Sequence, residues 1–272
     1  MNIALIILAA GKGTRMQSEL PKVLHNVASA PMLVHAMRAG RALEPKRTII
    51  VAGHGFEAVS VAARTEDPEV EVVLQEEQLG TGHAVDQART ALGDFDGTII
   101  VLYGDCPLIQ SRTLEELSAT LSDSAVSVLG FEAKDPARYG RLITDGDKLK
   151  RIVEFKDASP AERAVSLCNS GVMAASAGLL FDLLSEIDAN NASGELYLTD
   201  VIGKAVARGL PCTAVRCAER ETLGVNSRVE LMRAEKEFQN LSRAKALEDG
   251  ITMLAPETVH FSYDTVIGRD TI

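Results

Sequence analysis

Asn2-Ile-Ala-Leu-Ile-Ile-Leu-Ala-Ala10 runs directly into Gly11-Lys-Gly-Thr-Arg15. A short apolar run bounded by glycines reads as a buried strand, and with no basic stretch before it the run does not read as a secretion signal. Similar β-branched or apolar runs recur at 48–52, 71–74, 98–102 and 125–130, with helix-like stretches between them. That alternation predicts an α/β fold: a Rossmann-like, mostly parallel sheet with helices on both faces. Ligands of such sheets bind at the carboxyl ends of the strands, so loop 11–15 lies where phosphates would sit.

After about residue 135 the pattern loosens into hairpin-like segments. Thr144-Asp-Gly-Asp147 predicts a turn between strands 140–143 and 149–154, read as an insertion closing over the site. Ser227-x-x-Glu230 is a capping box, and Leu231, Ala234, Phe238 and Leu241 then recur at helical spacing until Gly250. The helix they predict is roughly 30 Å long at the standard rise. Beyond it Leu254, His260, Val266 and Ile272 fall six apart, and Val266-Ile-Gly268 resembles a hexapeptide-repeat turn. The expected division is a main domain over 1–226, a linker helix over 227–250 and the truncated start of a left-handed β-helix over 251–272.

With 272 residues, 46% of them hydrophobic, the chain can bury a substantial core. Its four cysteines form no Cys-x-x-Cys pair, so free thiols in a reducing, cytoplasmic setting are expected. No apolar run approaches membrane-spanning length. The net charge of −10 argues against nucleic-acid binding, which needs a basic face. If the substrates are polyanions, cations must be gathered locally.

Leu8-Ala-Ala-Gly-Lys-Gly-Thr-Arg-Met16, followed by Pro21-Lys22, is where they gather. The loop lacks the lysine-serine/threonine ending of a Walker A motif, and Met16 occupies the third glycine of a dinucleotide fingerprint. What remains is a glycine turn whose bare N–H groups can approach a triphosphate, with Lys12, Arg15 and Lys22 to neutralise it. Asp105 follows the strand 98–102, where a carboxylate can face phosphates through magnesium or simply cap a turn. Asn226 reads as a second oxygen donor or as a loop hydrogen bond. Gln75 and Gly80-Thr81 offer an amide and backbone groups to a base edge, or a polar loop. His83 has no obvious partner and is read as structural.

These motifs resemble the signature of the sugar-nucleotide pyrophosphorylases. Within them the chain is most similar to the uridyltransferase half of the bifunctional bacterial enzymes that make UDP-N-acetylglucosamine. The supporting stretches are Gln78-Leu-Gly-Thr-Gly-His-Ala84, Tyr103-Gly-Asp105, Tyr139-Gly-Arg141, Ile152-Val-Glu-x-Lys156, Asn169-x-Gly171, Gly194-Glu-x-Tyr197 and Gly224-Val-Asn226. The resemblance implies magnesium-dependent transfer of UMP from UTP to N-acetylglucosamine-1-phosphate, giving UDP-N-acetylglucosamine and pyrophosphate. Rival readings are another sugar-1-phosphate nucleotidyltransferase, or a noncatalytic nucleotide-sugar sensor.

By resemblance, Arg15 and Lys22 are catalytic and Asp105 and Asn226 hold magnesium. Leu8, Ala9, Ala10, Gly11, Gly13, Lys22, Gln75, Gly80, Thr81, Tyr103 and Gly104 bind the nucleotide, and Gly140, Glu154, Asn169 and Thr199 bind the sugar. Cys106 replaces an aliphatic residue common in relatives, which raises the expectation of thiol-reagent sensitivity. The full-length relatives trimerise through their repeat half and carry an acetyltransferase there. Neither is assigned to these residues, and a monomer or weak oligomer is expected.

Overall fold

A computed structural model describes residues 2–146 and 148–272. The chain begins with β1 (Ile3–Ala9), a short hairpin of β2 (Asn26–Val27) and β3 (Ala30–Pro31), and α1 (Met32–Arg41). Then come β4 (Arg47–Ala52), α2 (Phe56–Glu66), β5 (Glu71–Leu74), α3 (Thr81–Leu92), β6 (Thr98–Tyr103), α4 (Ser111–Ala119) and β7 (Val126–Glu132). The second half adds β8 (Arg141–Asp145), β9 (Lys148–Val153), α5 (Pro160–Arg163), β10 (Leu167–Ser176), α6 (Ala177–Leu184), α7 (Asp200–Ala207), β11 (Cys212–Cys217) and α8 (Arg228–Glu248).

β1 sits between β4 and β6, pairing Ile6 with Ile49 on one side and with Val101 on the other. Every residue of β1 is buried. Ala4, Ile6 and Leu8 enter the core with α3, α6 and α7, while Ile3, Leu5 and Ile7 enter the core with α1, α2 and α4. The two-residue period of the strand thus puts helices on both faces of the sheet, as expected. Each fully buried aliphatic side chain contributes about 1.5–3 kcal/mol, so a strand apolar on both faces anchors the centre.

The sheet order is β5-β4-β1-β6-β10-β7-β11-β9-β8. The mostly parallel expectation holds, since seven of the sheet's nine strands point the same way and β10 and β9 run against them. β5, β4, β1 and β6 run parallel, but β10 lies antiparallel to both β6 and β7, and β8 and β9 are antiparallel to each other. The reason is connectivity. β10 follows the β8–β9 hairpin and the short α5, and it enters the gap between β6 and β7 from the opposite end. Asp147 of the expected turn lies outside the described residues.

The capping box expected at 227–230 is half as drawn. Ser227 accepts from the amide of Glu230, while the Glu230 carboxylate accepts the amide of Asn226 at 2.8 Å. α8 is as long as expected, but it lies on the molecule rather than standing clear. Ala234 is buried with Met16, Val27 and Met32, and Glu235 accepts the Ala28 amide at 2.6 Å. Residues 251–272 contain a 3₁₀ turn, Pro256–Thr258, and no strand, so the expected β-helix start takes no sheet structure. Ile251 and Phe261 from this segment pack on Ala246 instead.

Candidate active site

The carboxyl ends of β1, β4, β5 and β6 open onto a cleft of about 400 Å³ whose wall includes Leu8, Gly11, Lys22, Gln75, Asp105 and Asn226. Ala9, Ala10, Gly80, Thr81 and Tyr103 also line it. Gly13 shapes it from behind. Its φ of 61° is left-handed, and a Cβ there would stand 2.6 Å from the Lys22 Cβ, so only glycine lets the loop fold against Lys22.

Lys22 is the centre of charge. Its ammonium is ion-paired with Asp105 Oδ2 and donates to Asn226 Oδ1 at 2.9 Å. Residues 105 and 226, far apart in sequence, therefore aim hard oxygen atoms at one cation. That donor set fits magnesium, which takes one or two protein oxygens and completes its shell with water and phosphate. Among the described residues no group of three or more His, Cys, Asp or Glu gathers for a metal. Arg15 is different. It lies in the 3₁₀ turn Thr14–Met16, exposed and outside the cleft lining.

The loop that runs from Gln75 to Thr81 is stitched rather than open. Gln75, almost fully buried, donates through Nε2 to the Gly80 carbonyl at 3.2 Å and bonds His83 Nδ1 at 3.0 Å. His83 also meets Gln87, so its partners are two glutamines that the sequence reading did not find. Gly80 has φ 119°, and a Cβ would come 2.5 Å from the Leu196 carbonyl. The Gly82 amide donates to that same carbonyl, and Leu198 N donates to Thr81 Oγ1 at 3.0 Å. Gln78, quoted in the motif but assigned no role, donates to the Ala10 carbonyl at 2.7 Å and ties this loop to the glycine loop.

Gly140, Glu154, Asn169 and Thr199, which the resemblance assigns to the sugar, also converge. Thr199 donates to Glu154 Oε1 at 3.2 Å, and a Cβ on Gly140 would come 3.3 Å from that oxygen. The Asn169 amide donates to the Gly140 carbonyl, and Asn169 Oδ1 accepts from Gly171 at 3.0 Å. The ladder between β10 and β7 slips between Asn169 and Met173, a bulge that re-aims side chains at this point. Gly171 has φ 89°, and a Cβ there would stand 2.5 Å from Cε2 of Tyr103. Burial, then the charges of Glu154 and Asp105, push the Tyr103 hydroxyl pKa far up, so it stays a neutral donor.

A second cleft of about 430 Å³ adjoins, with Arg138, Glu154, Phe155 and Tyr197 in its wall. Glu195 lines both clefts and was singled out only as part of a motif; its position between the two was not legible from spacing.

Burial raises the Glu154 pKa, opposed by the Thr199 hydroxyl and reinforced by Asp200. A carboxyl with a raised folded-state pKa favours folding in its protonated form. Stability is then lost as pH rises from the ordinary carboxylate range through the raised value, and is level above it. Glu154→Gln removes this loss. In melts from about pH 4 to about pH 8 the variant should gain on the wild type as pH rises, and parallel curves would contradict the assignment.

Cys106 corrects another expectation. It is 7% exposed, its Sγ points to Asp105 Oδ1 at 3.7 Å, and burial followed by the Asp105 charge raises its pKa well above normal. The thiolate is the reactive form, so low reactivity is expected of this buried thiol. Iodoacetamide near pH 7 should leave Cys106 unmodified by peptide mass mapping, and rapid carbamidomethylation there would show that the loop opens.

With the site described, its class follows. The family model for the MobA-like NTP transferase domain matches residues 5–179, and the chain belongs to that family of nucleotidyltransferases. Among curated proteins it is 60% identical over 270 residues to Bifunctional protein GlmU of Ruegeria sp. (strain TM1040), and 61% identical over 269 residues to that of Ruegeria pomeroyi. Each match covers 99% of this chain and 60% of the relative, so the chain spans about three-fifths of their length, and it matches their N-terminal part.

Among solved structures, an apo UDP-glucose pyrophosphorylase superposes with TM-score 0.73 at 17% identity, covering 89% of this chain and 100% of that one. A putative glucose-1-phosphate thymidylyltransferase from Bacillus anthracis superposes at 0.69 and 24% identity, covering 86% and 94%. These two likenesses establish the shared α/β fold.

Proposed function

We propose that the chain transfers UMP from UTP to N-acetylglucosamine-1-phosphate, releasing pyrophosphate and forming UDP-N-acetylglucosamine for cell-wall precursors in the cytoplasm. The observation that carries this reading is the convergence of Lys22, Asp105 and Asn226 at the floor of the nucleotide cleft, with Glu154 and Thr199 bonded to each other on its sugar side.

The uracil is read by Gln75 and by the backbone of Gly80 and Thr81, which are rigid because His83 and Leu196 hold them. The phosphates are assigned to the glycine loop that follows β1, residues 10–13, while Gly104, whose N–H donates to the Leu8 carbonyl at 2.9 Å, contributes by shape and not by a free donor. Glu154 accepts sugar hydroxyls, and Asn169, its Oδ1 engaged with Gly171, keeps its amide donors for the acetamido group or a hydroxyl. Asp105 and Asn226 would hold magnesium, which supplies neutralisation of phosphate charge when bound.

An oxygen of the sugar phosphate attacks the α-phosphorus in line, and no general base is needed because the attacking oxygen is already anionic. Lys22 stabilises charge on the α-phosphate, and Arg15, at the exposed edge, meets the departing pyrophosphate. Catalysis is then positioning and electrostatics.

Residues 1–226 form the transferase unit, α8 the link, and 251–272 the approach to a repeat domain. Leu254, Val266 and Ile272, three positions of the six-residue spacing, are 90%, 93% and 87% exposed, which suits coverage by a neighbouring coil. Tested alone, the chain is expected to run as a monomer or weak oligomer.

The experiment is pyrophosphate release with magnesium from UTP and N-acetylglucosamine-1-phosphate, beside glucose-1-phosphate, dTTP and an EDTA control. Release that peaks with the first pair and vanishes with EDTA supports the reading. A peak with another pair overturns the substrate assignment, and binding of UDP-sugar without release makes the chain a sensor.

A further inference from the structure

Arg141 is among the largest fully buried side chains of the molecule, at 2% exposure, and its partners are carbonyl groups. Its Nη1 donates to the Tyr139 carbonyl, and Nη2 donates to those of Ala137 and Arg163, each at 3.2 Å. A buried guanidinium is tolerated only where its donors are met, so these contacts fix the segments that offer them.

The segments are two walls of the sugar side. One is loop 137–139, where Ala137 holds a left-handed φ of 38° that alanine does not choose locally, and where Tyr139 packs edge-on to Phe131 at 4.9 Å. This loop carries Arg138 into the second cleft and leads into Gly140. The other wall is the end of α5. There Arg163 donates to the Phe155 carbonyl at 3.2 Å and stacks over the Phe155 ring at 4.5 Å, next to Glu154.

We infer that Arg141 is a positioning residue for sugar-phosphate recognition, fastening the Gly140 wall to the Glu154 wall without touching substrate. The inference rests on the transferase reading and deepens it, because it separates the half that holds the sugar from the half that holds the nucleotide.

Arg141→Met and Arg141→Lys in the full chain test it by steady-state kinetics and by hydrogen exchange read by mass spectrometry. Arg141→Met should raise KM for the sugar phosphate by at least about tenfold and leave KM for UTP within about twofold, the signature of a displaced recognition wall. Arg141→Lys, which keeps a buried donor, should restore part of that loss. Exchange should quicken at 136–142 and 154–164 and stay as in the wild type at 3–11 and 98–106. Both KM values rising in step, neither moving, or exchange that is unchanged or faster everywhere would overturn the inference. Absence of pyrophosphate release by the wild type would remove the transferase reading alone, because the exchange pattern still decides whether Arg141 fastens these walls.

Discussion

Lys22→Ala should lower kcat by about 10²- to 10³-fold, the scale for removing one preorganised group that stabilises developing charge. The variant also leaves Asp105 without the cation it holds in the free protein, because Lys22 is that carboxylate's ion-pair partner. Both side chains are largely buried, at 12% and 14% exposure, so the loss reaches stability too, by up to about 3 kcal/mol. Stopped assays of pyrophosphate release and a urea titration read the two effects separately. A fall of only a few-fold in kcat with a large loss of stability would make Lys22 a structural counter-ion and not a catalytic group.

Arg15→Ala should separate the same two quantities. Its side chain is exposed in a one-turn 3₁₀ segment, so stability should stay within about 0.5 kcal/mol of the wild type. Turnover should nevertheless fall by about a hundredfold, because the guanidinium is assigned to the pyrophosphate as it departs. A loss of only a few-fold would remove Arg15 from the reaction. The contrast between one buried and one exposed cation is sharper than either result alone.

The parallel half of the fold was legible because its strands are apolar on both faces. The runs at 71–74 and 98–102 match β5 and β6 to within a residue, and the glycine loop lies at the strand ends as the topology demands. β10 and β11 were missed for a physical reason. β10 contains Asn169, Ser170 and Gly171 at a bulge, which breaks the apolar run, and four of the six residues of β11 are only partly buried.

Site chemistry was legible wherever a motif follows a strand, as with Tyr103-Gly-Asp105. The bond of Lys22 to both Asp105 and Asn226, the contact of His83 with Gln75 and the bracing by Arg141 all join residues distant in sequence or loop conformations with no periodic signature. The capping box at 227–230 shows the boundary between the two kinds of knowledge. Its spacing forecast the helix start, but not that Glu230 would hold the backbone of Asn226.

Direct transfer of a nucleotidyl group is the reaction proposed for the cleft around Lys22, Asp105 and Asn226. A single turnover of UTP labelled at the α-phosphorus, with enzyme and N-acetylglucosamine-1-phosphate in excess, tests it most directly. Label should pass from UTP to UDP-N-acetylglucosamine with no label bound to protein at any time, and Lys22→Ala should slow this passage. Label trapped covalently on the chain, or a passage that Lys22→Ala leaves unchanged, would contradict it.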